Sequence, residues 1–88
     1  MFTVRWTRSA TNELTDLWTR ADSALRQAIT AAAHRIDQEL RADPENKGES
    51  RGDNERVWFA FPLGIRFEVD RRRSVARILH VWNYGRRR

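Results

Sequence analysis

The chain contains no cysteine, so neither a disulfide nor a thiolate-held metal enters its chemistry. It has only two histidines, His34 and His80, too few for a structural zinc site of the usual four ligands. There is no glycine-rich phosphate loop, no nucleophile elbow and no paired-carboxylate signature. No apolar run approaches the roughly 20 residues of a membrane span, and Met1 to Arg5 does not read as a secretion signal. A soluble intracellular protein is expected. Lysine is almost absent too: of seventeen basic residues only Lys47 is not arginine.

What is present is charge, unevenly placed. Residues 1–50 carry seven basic and eight acidic side chains, whereas residues 51–88 carry ten arginines and four acids. The whole excess of the +5 net charge therefore lies in the second half. The arginine fork matches phosphate and carboxylate geometry, so a polyanion or an acidic protein partner is implied. At 88 residues the chain makes one domain, 1–88, with four Trp and four Phe among the residues for a modest core.

Apolar spacing divides the chain. Phe2, Val4 and Trp6 alternate as a first strand. Ser9 reads as the N-cap of a helix over about Ala10–Ala21. Asp22-Ser23 separates it from a second helix over about Ala24–Leu40, whose stripe is Leu25, Ala28, Ile29, Ala32, Ile36 and Leu40. Residues 43–54 lack any aliphatic or aromatic side chain and read as a loop. Three strands follow: Arg56–Phe61, Ile65–Asp70 and about Ser74–Tyr84, with Pro62-Leu63-Gly64 as the first turn. The last is apolar on both parities and reads as buried on both faces. The expected class is α+β in the order β-α-α-β-β-β. The helical hairpin packs on one face of a small, mainly antiparallel four-stranded sheet.

Within that frame Arg66 alternates with Ile65 and Phe67 and points away from the core. It suits charge stabilisation at a phosphate, or else a cross-strand ion pair with Glu68, Asp70 or a neighbour. His80 suits proton transfer or a structural hydrogen bond. Tyr84 suits stacking on a base or covering a sheet edge. His80, Trp82 and Tyr84 share one parity. Trp6, Trp18 and Trp58 read as core or interface anchors.

The element order, the stretch Pro62-Leu63-Gly64-Ile65-Arg66-Phe67-Glu68-Val69 and the run Val75 to Trp82 together resemble the RelE/ParE superfamily of bacterial type II toxins. The likeness spans nearly the whole chain. It implies a cytoplasmic toxin without cofactor or metal, held by an antitoxin through an acidic or amphipathic segment. Two activities share that fold. RelE-like members cut mRNA in the ribosome's decoding site, and this is the first expectation. Arg66 matches their strand arginine; His80 or Tyr84 would move a proton; Lys47, Arg51, Arg56, Arg86 and Arg87 would hold RNA. ParE-like members bind DNA gyrase without chemistry of their own, and this is the alternative, as is an inactive relative that only binds an antitoxin. Tyr84 stands where the nucleases often carry a basic residue, and Arg56 is the only base on the strand after the loop.

Overall fold

A computed structural model of the chain describes residues 1–85. Strand β1 (Thr3–Trp6) leads into helices α1 (Arg8–Arg20) and α2 (Ser23–Ala42). A 3-10 turn (Pro44–Asn46) follows, then strands β2 (Glu49–Ser50), β3 (Glu55–Ala60), β4 (Leu63–Asp70) and β5 (Val75–Asn83). The sheet order is β1-β5-β4-β3-β2, with β1 parallel to β5 and every other pair antiparallel. The class is the expected α+β, with one strand more than the four expected.

The additional strand lies in the segment that reads as a loop. Gly48 adopts φ 69, and a Cβ on it would lie 1.9 Å from the Val57 carbonyl oxygen, so only glycine lets the chain pass there. The next two residues then pair with Arg56 and Val57 through backbone alone. Such a strand leaves no apolar alternation in the sequence.

Helix α1 begins two residues earlier than expected, because Thr7 and not Ser9 is its cap. The Thr7 hydroxyl accepts from the Ala10 amide at 3.2 Å and donates to the Ile78 carbonyl at 2.9 Å. One side chain thus starts the helix and ties it to β5. Asp22 caps α2 by accepting from the Leu25 amide at 2.9 Å. The α2 residues Ile29, Ala32, Ile36 and Leu40 are buried against Leu63, Ile65, Phe67 and Val69 of β4 and Ala76, Ile78 and Val81 of β5. Among the described residues the contiguous core cluster lies on this side of the sheet, and Val57 is buried on the other.

Two further expectations change. Leu63 and Gly64 belong to β4, and the turn is made by Phe61-Pro62 alone. Strand β5 is internal, but only one of its faces is buried. Its pairing steps from Phe67↔Ile78 to Arg66↔His80, leaving Leu79 as an extra residue in a β-bulge. Ala76 and Ile78 face the helices before the bulge, and Val81 faces them after it. The double apolar parity therefore comes from a shift of register and not from burial on two sides.

Candidate functional site

The helices cover one face of the sheet, so whatever the other face displays is set by strand register. Cross-strand partners form rows there. The first runs Arg5, Arg77, Glu68, Glu55 across β1, β5, β4 and β3. The second runs His80, Arg66, Val57, Glu49 across β5, β4, β3 and β2. The third is Trp82, Gly64, Phe59. The outer face thus grades from charged at one end to aromatic at the other, with Arg66 at the boundary.

At the charged end a hollow of about 1150 Å³ is lined by residues that include Arg5, Arg77, Arg71, Glu45 and Asp70. Most of its arginines are answered: Arg77 bonds Glu68 at 2.8 Å, Arg71 bonds Glu45, and Arg73 lies 3.9 Å from Asp70. Arg5 has no ion-pair partner among the described residues and stands in register beside Arg77.

Arg66 is ion-paired with a residue on a neighbouring strand, and that neighbour is Glu55. Its Nε donates to Glu55 Oε1 at 2.6 Å. The guanidinium uses one of its donors there, and no hydrogen bond from its terminal nitrogens forms among the described residues. His80 is its register partner, yet the imidazole turns toward α1, with Nδ1 3.3 Å from Glu13 Oε2. The other Glu13 oxygen accepts from the Val81 amide at 3.0 Å. Strand β1 stops at Trp6, opposite Ile78, so beyond that point β5 keeps β4 but loses its β1 neighbour; Glu13 satisfies the exposed edge and orients His80 with the same carboxylate.

Tyr84 follows β5 and joins an aromatic cluster. Its ring centroid lies 4.8 Å from that of Phe59 and 5.8 Å from that of Phe61, both edge-on, while Phe59 meets Trp82 at 6.1 Å and 85°. Gly64 lies under Trp82, whose indole crosses the space a side chain would fill.

The expected RNA-holding residues do not gather around Arg66. Lys47 faces the helical side, bonded to Glu39 of α2 at 2.7 Å and 5.9 Å from the Trp58 ring. That pairing holds the Glu39 carboxyl below its ordinary pKa, by hydrogen bond first and by charge second. Arg56 donates to the Lys47 and Gly48 carbonyls at 2.7 and 2.9 Å and fastens the loop before β2. Arg51 pairs with Glu49 at 3.2 Å. Arg86 and Arg87 lie outside the described residues.

Arg66, His80 and Tyr84 do share the outer face, as alternation implies. Sequence reasoning missed Phe59, Phe61 and Glu55. The sequence carries no clear signal for them, because Gly64, which leaves room for Trp82, reads there as part of a turn and is a strand residue only in the structure.

No protein-family model matches the chain, and no curated protein matches it in sequence. Solved structures do. The chromosomal ParDE toxin–antitoxin system of P. aeruginosa matches with a TM-score of 0.74 at 16% identity, over 94% of this chain and 96% of that one. The RelBE2 toxin–antitoxin complex of Mycobacterium tuberculosis matches with a TM-score of 0.76 at 17% identity, over 97% and 93%. The isolated E. coli RelE toxin matches with a TM-score of 0.64 at 13% identity, over 99% and 88%. The fold is that of the RelE/ParE toxins.

Proposed function

We propose that this chain, built on the RelE/ParE fold, is the toxin of a type II toxin–antitoxin pair and acts by binding its target through the outer sheet face. DNA gyrase is the target class this reading takes from the ParE-like branch. One observation carries it. Toward the aromatic end the ground beside Arg66 is Val57, Gly64, Phe59 and Trp82, and the guanidinium itself is engaged by Glu55. An apolar, largely aromatic patch edged by an arginine whose fork is only partly engaged suits docking. Cleavage of RNA without a metal asks instead for a base and an acid on either side of the bound phosphate.

The expected nuclease activity keeps one supporting observation: Arg66 and His80 are register partners on one face. In that reading the RNA 2′-hydroxyl attacks the phosphate, Arg66 stabilises the developing charge, and His80 or Tyr84 transfers a proton. Two assays separate the readings. Inhibition of supercoiling by purified gyrase, with intact mRNA on translating ribosomes, is the expected result. Cleavage of mRNA that is lost in Arg66→Ala, with normal supercoiling, replaces the docking reading by the nuclease one. On either reading the site of action is cytoplasmic, and a cognate antitoxin is the partner.

A further inference from the structure

The aromatic end of the outer face is the least explained part of the surface. Phe59, Phe61, Trp82 and Tyr84 are 46%, 67%, 37% and 44% exposed. They sit on the side of the sheet that the helices leave uncovered, and together they form a contiguous, partly exposed apolar patch. Beside them Arg66, with 41% of its side chain exposed, spends only Nε on Glu55. Its two terminal nitrogens form a fork suited to one more carboxylate.

We infer that this platform binds a polypeptide segment that places an aromatic or large aliphatic side chain on Phe59, Phe61 and Tyr84 and a carboxylate on Arg66. The inference rests on the docking reading above and adds the chemistry of what docks. Charge distribution selects a peptide over a nucleic acid. The row of Arg66 also holds Glu49, the next row holds Glu55 and Glu68, and Glu13 stands beside His80. The neighbouring arginines Arg51 and Arg77 are already taken by Glu49 and Glu68. A phosphate backbone crossing the sheet here meets carboxylates and cations already paired with them, with the open fork of Arg66 for one of its charges, whereas a peptide brings one acid to that one arginine. The rings also meet one another edge-on, which leaves a rough apolar surface and no parallel-walled slot for a base. The arginine-rich second half of the chain adds long-range attraction for an acidic segment.

The test uses the purified full chain, ¹⁵N-labelled, titrated with a twelve-residue Ser- and Gly-based peptide that carries one Trp, one Leu and a single Asp. Three comparisons accompany it: the same peptide with Asn for Asp, a twelve-residue oligouridylate, and the variants F61S and R66Q. Amide shifts confined to β3, the first half of β4 and the end of β5 are expected. Binding is expected to weaken on the order of tenfold or more with R66Q or with the Asn peptide, and to weaken with F61S. Phe61 is exposed and Arg66 partly so, and a thermal melt confirms that the variants stay folded. Shifts on the helical face, equal binding of the Asn peptide, or stronger binding of the oligonucleotide at these residues each overturn the inference. Because binding is read on the isolated chain, its failure is distinct from a failure to inhibit gyrase.

Discussion

Gly64 and Trp82 occupy the same place on the outer face: a Cβ added to the glycine would lie 2.6 Å from the indole Cε2. The ring is side-chain matter at the surface and is free to lift, so Gly64→Ala displaces it without breaking the strand. The expected result is a red-shifted tryptophan emission and a stability loss of about 1 kcal/mol, read by urea denaturation. Unchanged emission would show that the ring does not rest there.

Phe67 is fully buried where β4 meets the helices. Phe67→Ala is expected to cost about 3–5 kcal/mol. That is a large share of the roughly 5–15 kcal/mol that holds a domain together. The check is the denaturant midpoint, which should fall sharply while the slope stays constant. A shift smaller than that of Gly64→Ala would contradict the placement of the core.

Thr7 is expected to act through its hydroxyl. Thr7→Ala removes both the helix cap and the bond to the Ile78 carbonyl, for a loss of about 1–2 kcal/mol. Thr7→Ser retains the oxygen and should recover most of it. Equal losses in both would assign the effect to the missing methyl group.

The Arg66–Glu55 pair is partly exposed, so its removal should hardly touch stability. Arg66→Ala is expected to change unfolding free energy by no more than about 1 kcal/mol while abolishing growth arrest on induction. Growth arrest that survives the change would remove Arg66 from the functional surface.

The pH dependence of stability has a defined sign at Glu39. Its carboxyl is lowered in the folded chain by Lys47, so the associated stability is present above the unfolded pKa and lost as pH falls through the folded one. Glu39→Gln should therefore destabilise the chain at neutral pH and converge with the parent in acid. A gap between the two that persists in acid would point to packing instead of charge.

Much of this architecture is legible in the residues because period and burial coincide. The α2 stripe and the β4 alternation each have one apolar face, and both are found where spacing puts them. The outward aim of Arg66 follows from the same alternation. Its partner does not, because Glu55 lies diagonally on the neighbouring strand and only the register brings it near. Strand β3 shows the opposite limit. Val57 and Phe59 on one parity are as apolar as Trp58 and Ala60 on the other, so composition alone cannot say which pair meets the helices. The structure turns Trp58 and Ala60 inward, and the aromatic platform follows from that choice. The cap at Thr7 was hidden for a similar reason: its bond to Ile78 spans 71 residues.

The bulge at Leu79 divides β5 into two segments with independent phase. Upstream, odd-numbered side chains such as Arg77 face outward; downstream, even-numbered ones such as His80 and Trp82 do. Pairing β5 without the bulge but with Leu79 retained would swing Val81 to solvent and send His80 and Trp82 toward the helices. Deleting Leu79 would instead merge the two segments into one phase, with every one of these side chains on its present face. The charged and aromatic ends of the outer surface are thus joined by a frame shift in a single strand, and substitutions at either end can accumulate without disturbing the alternation of the other.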